Sequence, residues 1–384
     1  MTSVRLSRRA VLRLAAGAAV AVHARPGAAA HARPLLGALR WDAWYAPGSS
    51  VTAAVERSLT PPRYQPRLPF FASLDDAGRP HLPAISQPLM DLEIAQALYA
   101  GLDYWAFVAY PAADPMTRPL DLFLSSTRRG PLRFCMFTGL DAWGTAAQPS
   151  PLIEAHLKLM AHEAYQRVEG DRPLYFLGFV TEQLARERWG GIDGLRDGIA
   201  RFRARARETG AGDPYIVAAV LPRTAVTLHR QIGADAASAY SIADGRATGD
   251  YAALARIVEA GWQSLAGSGL PVVPTVMAGW DRRPRVEAPV PWEKGQRPGA
   301  GLEYFFQGPS PSQLSDQVER AFAFVDQEPQ GRRAPAVLVY AWNENDEGGW
   351  LVPTRPCDQA RLQALHRTLK PADAASPPGC ADGR

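Results

Sequence analysis

Apolar and polar positions along the chain alternate between two patterns. Eight short apolar runs stand out: Leu35–Trp41, Tyr104–Tyr110, Leu132–Thr138, Leu174–Val180, Tyr215–Leu221, Ala237–Ser241, Val272–Gly279 and Ala336–Trp342. Most are rich in Val, Phe, Tyr or Leu without strict polar alternation, which suits strands buried on both faces. Between them, Asp91–Gly101, Leu152–Val168, Ile192–Thr209, Tyr251–Leu265 and Gln313–Asp326 carry apolar residues at helical spacing. Gly101 is placed to end the first of these helices and Ser312 to open the last. Strands alternating with helices predict an α/β fold with a parallel sheet. Eight such repeats over about 340 residues predict a single (β/α)8 TIM barrel with long βα loops. An open doubly wound sheet is the alternative. Against it, the first run leads into Trp41-Asp42-Ala43-Trp44-Tyr45 instead of a glycine-rich phosphate turn.

Two connections are long and rich in Pro: Ala46–Pro88, with a short extended Leu68–Ala72, and Asp281–Pro311. Loops of that length inside a compact domain commonly build a binding site. The ends of the chain read differently. Ser7-Arg8-Arg9-Ala10-Val11-Leu12-Arg13 runs into the short apolar stretch Leu14–Val22, with Val22-His23-Ala24 or Ala28-Ala29-Ala30 as cleavage sites. This layout is that of a twin-arginine export signal, with a disordered basic tail as the alternative. The predicted organisation is therefore a signal over 1–30, a barrel over 31–372 and a loose tail over 373–384. Export places the mature chain in the periplasm or outside the cell. No stretch after the signal has the length of a spanning helix, so the mature chain is not expected to enter a membrane.

Charge then changes the picture. The formal net charge of +4 is equalled by Arg5, Arg8, Arg9 and Arg13, so a chain cleaved after Ala24 is neutral. A neutral domain offers no overall attraction to nucleic acid. The composition suits a globular chain, expected to act as a monomer, with 47% hydrophobic residues and an excess of rings: ten Trp, twelve Tyr and thirteen Phe. Of the three cysteines, Cys135 lies in an apolar run, while Cys357 and Cys380 could close a disulfide or remain as two free thiols.

Several chemistries are missing. His162-Glu163 begins a zinc-protease pattern that fails at Gln166, and His156 on the same predicted helix reads as structural. There is no nucleophile elbow, P-loop or dinucleotide fingerprint, and no metal or cofactor is expected. In a barrel, chemistry sits where strands end. Those ends read Trp41, Asp42, Trp44 and Tyr45 after the first strand, Tyr110 after the second, and Asp141 and Trp143 after the third. The seventh ends in Gly279-Trp280-Asp281-Arg282-Arg283-Pro284-Arg285, and the eighth in Trp342-Asn343-Glu344-Asn345-Asp346-Glu347-Gly348-Gly349-Trp350. Aromatic faces stack on the C–H faces of sugars, while carboxylates and amides bind hydroxyls. Glu344 and Glu347 fall on one side of a helical turn, the arrangement two-carboxylate glycoside cleavage uses. An ordinary acidic surface turn is the alternative for that segment.

The segment Ala341–Pro353 resembles the last-strand motif of family 99-like glycoside hydrolases, relatives of endo-α-1,2-mannosidases and of WbsX-like proteins. Gly279-Trp280-Asp281-Arg282-Arg283-Pro284-Arg285 resembles a segment of the WbsX-like branch. The resemblance implies a (β/α)8 barrel and an α-linked polysaccharide or oligosaccharide as substrate. It implies Glu344 as general base, deprotonating the substrate's own 2-hydroxyl for attack on C1 with net retention, and Glu347 as general acid. Two departures accompany it: Asn345 replaces the usual aromatic residue, and the loops after the first and seventh strands match the mannosidases poorly. Trp41, Asp42, Trp44, Tyr45, Tyr110, Asp141, Trp143, Trp280, Asp281, Arg285, Trp342 and Asn343 are the expected sugar-binding residues. Two rivals are a non-catalytic carbohydrate-binding barrel and a WbsX-like glycosyltransferase. Export and the missing phosphate loop disfavour the transferase.

Overall fold

A computed structural model describes residues 33–220, 227–242 and 246–380. The predicted export signal therefore lies outside the described residues. Eight parallel strands form the sheet: β1 (Leu35–Arg40), β2 (Tyr104–Val108), β3 (Arg133–Gly139), β4 (Arg172–Val180), β5 (Tyr215–Val220), β6 (Ala236–Ala239), β7 (Thr275–Met277) and β8 (Ala336–Tyr340). Their order is β7-β8-β1-β2-β3-β4-β5-β6. The ring closes between β6 and β7 without a regular ladder. There the amide of Val273 donates to the Ala237 carbonyl at 2.9 Å, and the Thr275 hydroxyl donates to that of Ala239 at 2.6 Å. The predicted (β/α)8 barrel is the observed fold.

Burial on both faces, inside the barrel and under the helices, explains why these runs are apolar throughout. Leu36, Ala38, Leu174, Phe176, Ile216, Val337 and Val339 are all fully buried. Gly37 sits where β1 meets both neighbours, opposite Leu338 on one side and Tyr104 on the other. A Cβ there would lie 2.1 Å from the Tyr104 ring, whose hydroxyl crosses to donate to the Val337 carbonyl at 3.0 Å. Glycine is required by that close approach.

Outside the barrel lie α1 (Ser50–Ser58), α2 (Gln87–Ala100), α3 (Arg118–Ser125), α4 (Leu152–Met160), α5 (Glu182–Trp189), α6 (Ile192–Glu208), α7 (Leu228–Gln231), α8 (Tyr251–Ala266), α9 (Arg283–Glu287), α10 (Pro311–Gln327) and α11 (Ala360–Leu369). Gly101 caps α2 in the left-handed conformation as expected. The cap of α10 is Ser310, not Ser312. With Gln313 it forms a reciprocal capping box, which Pro311 at the first helical position reinforces. The helix predicted over Leu152–Val168 stops at Met160, because the following residues pair with the sheet edge. Phe134 donates to the Ala164 carbonyl at 3.0 Å, and Arg167–Val168 makes an antiparallel ladder with Arg172–Pro173. His156 is buried among Thr138 and Tyr175, its Nδ1 at 3.0 Å from the Tyr175 hydroxyl. Burial pulls its pKa down to about 4, so it is neutral and structural.

The tail expected to be loose is fastened as far as Cys380. Cys357 and Cys380 are bridged with Cα atoms 5.6 Å apart, and Gln359 donates to the Pro378 carbonyl at 2.6 Å. Gln96 of α2 reaches the Gly379 carbonyl. Cys135 is a buried free thiol whose pKa burial raises. Among the described residues, no helix is long and apolar enough to cross a membrane.

Candidate active site

Beyond β8 the chain turns sharply. Asn343–Glu344 pairs antiparallel with Gly349–Trp350, and Asn345–Glu347 makes one 3-10 turn between them. The three carboxylates of that turn, Glu344, Asp346 and Glu347, are each at least 94% buried, so it is no solvated acidic loop. Burying them requires a counter-charge. Arg285 of α9 supplies it. Its Nε and Nη2 fork onto Asp346 at 2.7 and 3.0 Å, Nη2 also reaches Glu344 Oε2 at 3.0 Å, and Nη1 bonds Glu347. One guanidinium therefore serves three acids, in the planar geometry that Lys cannot reproduce.

Each glutamate has further partners of its own. The Tyr240 hydroxyl, just past β6, donates to Glu344. Glu347 accepts from the hydroxyl of Tyr340 at the end of β8 and from Arg282 Nε at 2.9 Å. The charges follow. Burial, with Asp346 and Glu347 nearby, pushes Glu344 up to about 8 against the pull of Arg285. Although burial raises Glu347 as well, Arg285 and Arg282 together hold it below the usual carboxylate range. These opposite shifts favour the proton on Glu344 over Glu347.

Loop contacts fix the turn in register with the neighbouring strand ends. The Asp281 amide donates to the Glu347 carbonyl at 2.7 Å. Gly279 and Gly348 approach so closely that a Cβ on Gly279 would lie 2.1 Å from the Gly348 carbonyl oxygen. On the other side, Asn343 Oδ1 accepts from the Trp41 amide at 2.7 Å and its Nδ2 donates to Asp42 at 3.3 Å. The Trp44 indole donates to the Asn343 carbonyl at 2.6 Å. Asp42 is in turn paired with buried Arg40 at 2.8 Å, which also holds Glu93 at 2.7 Å. Burial pushes the Asp42 pKa up to about 7 against the pull of Arg40.

The two glutamates face a cavity of about 700 Å³ at the C-terminal rim of the barrel. This size suits a small-molecule or oligosaccharide ligand. Trp41, Tyr110, Asp141, Trp280, Arg282, Arg285, Trp292 and Glu293 line it beside Glu344 and Glu347. Of the expected residues, Trp41, Tyr110, Asp141, Trp280 and Arg285 thus meet the glutamates in one cleft. Trp44, Tyr45, Trp143, Trp342, Asp42, Asn343 and Asp281 do not line it. They are buried behind it. Their position after strand ends is correct, but their side chains turn into the packing. Trp143 donates to Tyr175 at 2.8 Å, Trp342 packs on Trp105 at 5.1 Å, and the Tyr45 hydroxyl bonds Glu93. Asp281 is consumed by Arg67 and by Arg283 at 2.7 and 2.9 Å.

Sequence reading missed Tyr240, Tyr340, Arg282, Phe179, Trp292 and Glu293. Arg282 lay inside a quoted motif and the two tyrosines close to predicted strand ends. Phe179 is held at φ 53°, where a non-glycine residue is strained, and its ring lines the cavity 4.9 Å from that of Tyr240. No sequence pattern announces that turn.

No family model matches the sequence, and no curated protein matches it. The solved structures similar in fold include two of a family 99 enzyme. The GH99 endo-α-mannosidase of Bacteroides thetaiotaomicron superposes with a TM-score of 0.53 at 13% identity, covering 87% of this chain and 95% of that one. The GH99 endo-α-mannosidase of that organism in complex with bis-tris propane gives 0.54 at 12% identity, covering 88% and 96%. The chain thus has the barrel fold of the family 99 endo-α-mannosidases over nearly their whole length.

Proposed function

We propose that the protein is an exported, retaining glycoside hydrolase acting on an α-linked polysaccharide or oligosaccharide, with Glu344 and Glu347 as its acid/base pair. The observation that carries this reading is that both glutamates share the Arg285 guanidinium at the foot of an aromatic-walled cleft. Retention follows from the 2-hydroxyl route that the sequence resemblance implies, in which the substrate's own oxygen attacks C1 before water does. The fold shared with endo-α-mannosidases supports an α-linked substrate, and Arg8-Arg9 with the apolar stretch after them supports export.

In the reaction, the acid protonates the glycosidic oxygen as its bond to C1 breaks. The base removes the proton of the substrate's 2-hydroxyl, whose oxygen attacks C1 from the opposite face. Water, giving a proton to the former acid, then attacks C1 and opens the resulting strained ring while the former base returns its proton to O2. Both the configuration at C1 and the starting protonation of the pair are thereby restored. The sequence resemblance gives the base to Glu344 and the acid to Glu347. A second assignment is favoured by the electrostatics of the cleft, where burial raises Glu344 while Arg285 and Arg282 lower Glu347. Under the first, a bound sugar must draw Arg282 off Glu347 before the proton can move to it.

Leaving-group dependence separates the two. Loss of the acid abolishes cleavage of natural linkages but spares dinitrophenyl glycosides, which need no protonation. Loss of the base impairs both. If Glu347→Gln shows the first behaviour and Glu344→Gln the second, the resemblance assigns the roles. The converse gives them to the charges. Wild-type rates in both variants refute the pair, and a wild type that binds but cleaves no saccharide leaves a carbohydrate-binding barrel.

A further inference from the structure

The loop after β7 contains a tryptophan whose environment is unlike that of the others. Trp292 is 36% exposed, and among the described residues it shares that exposure only with Leu74 of the large hydrophobic side chains. It is nevertheless firmly placed. Its ring meets that of Trp41 edge-on at 5.3 Å with planes 64° apart, and the Arg285 guanidinium lies 5.4 Å from its centre. The next residue, Glu293, anchors the segment to the floor of the cleft. It pairs with Arg282 and reaches Arg285 Nη1 at 3.4 Å. Gln296 donates to Glu293 and accepts from the Val290 amide at 3.0 Å. The Gly299 amide donates to the Val286 carbonyl at 3.0 Å, which closes the base of the loop. The ring stands on the wall of the cavity, so its exposed part offers apolar surface to a ligand there.

We infer that Trp292 and Trp41 form the two walls of a second sugar-ring subsite, so that the cleft selects saccharides extending beyond the ring being cleaved. This deepens the hydrolase reading and rests on it. The walls meet at a steep angle beside the arginines, which suits one ring stacked on an indole while its hydroxyls reach the charged floor. Glu293 is the positioning residue of this subsite, because it holds Trp292 through the same arginines that hold Glu347. The length of the loop after β7 is thereby accounted for, since it carries one wall of the cleft.

The test compares substrates of different length in the full mature chain. The probes are nitrophenyl α-mannoside and α-glucoside, and α-linked manno- and gluco-oligosaccharides of two to four units. In the wild type, kcat/KM rises with chain length for the sugar that is cleaved. Trp292→Ala raises KM for the longer oligosaccharides about tenfold more than for the aryl glycoside, the scale expected of one aromatic contact. Trp292→Phe, which retains a smaller ring, recovers part of the loss. Glu293→Gln moves KM in the same direction as Trp292→Ala, and it also shifts the pH profile through Arg282. Equal losses on short and long substrates, or a wild type indifferent to length, overturn the subsite. Should the wild type cleave none of these sugars, the hydrolase reading fails by itself. Calorimetric titration of the same oligosaccharides into wild type and Trp292→Ala then decides the subsite: equal affinities, or no binding to either, refute it.

Discussion

At the scale of single residues, Arg285 governs the cleft. Three acids, 94% or more buried, meet on its guanidinium, and removing it leaves them without their shared counter-charge. Arg285→Met is therefore expected to cost about 3–5 kcal/mol of stability, measured by urea unfolding, the scale for stripping one partner from buried charges. Arg285→Lys keeps the charge but loses the fork, and is expected to retain the fold while reducing kcat. The acids themselves set the pH response. The pKa values of Glu344 and Asp42 are raised to about 8 and 7 from ordinary values of 4.5 and 3.8. A group that binds its proton more tightly when folded contributes stability below its unfolded pKa and loses it as pH rises through the folded value. Melting temperature is thus expected to fall between pH 5 and pH 8.5 from these two groups. The kcat/KM profile should lose activity on an alkaline limb near pH 8, as the pair gives up its one proton.

At the scale of elements, the eight strands and five of the helices were legible because burial on two faces leaves continuous apolar runs and burial on one leaves helical spacing. Six further helices among the described residues were not. Ser50–Ser58 and Ala360–Leu369 lie in stretches where Pro and polar residues mask the period, Arg118–Ser125 and Glu182–Trp189 are only two turns long, and Leu228–Gln231 and Arg283–Glu287 are shorter still. The candidate site was half legible. Strand-end position brought Trp41, Tyr110, Trp280, Arg285 and the two glutamates together, since ends of the first, seventh and eighth strands are neighbours on a closed barrel. It could not tell which aromatic ring turns outward. Trp41 faces the cleft and Trp44 packs beneath it, though both follow β1, because the turn at Asp42–Ala43 is set by Asn343 and Arg40. The approach of Gly279 to Gly348 is a further element-scale device. Gly279→Ala would drive its Cβ into the Gly348 carbonyl at a φ of 140°, and is expected to lower the unfolding midpoint and displace the Glu347 turn. A variant with unchanged melting and unchanged kcat would show that the two loops are free to separate.

At the scale of the whole molecule, closure of the barrel fixes the rim, and the C-terminal segment fastens the outside. The bridge between Cys357 and Cys380 closes a loop of 23 residues over α11. Replacing both cysteines by serine should reduce stability by about 2–4 kcal/mol, read as a lower melting temperature that reductant produces equally in the wild type. Neither cysteine lines the cleft, so kcat at a temperature well below melting should be unaffected. The configuration of the first-formed product bears on the function most directly. Time-resolved proton NMR of the wild type cleaving an α-linked oligosaccharide records which anomer appears before mutarotation mixes them. The proposed double displacement through the 2-hydroxyl predicts the α anomer first. A β anomer appearing first would mean that water attacks C1 directly, and would contradict the retaining pair.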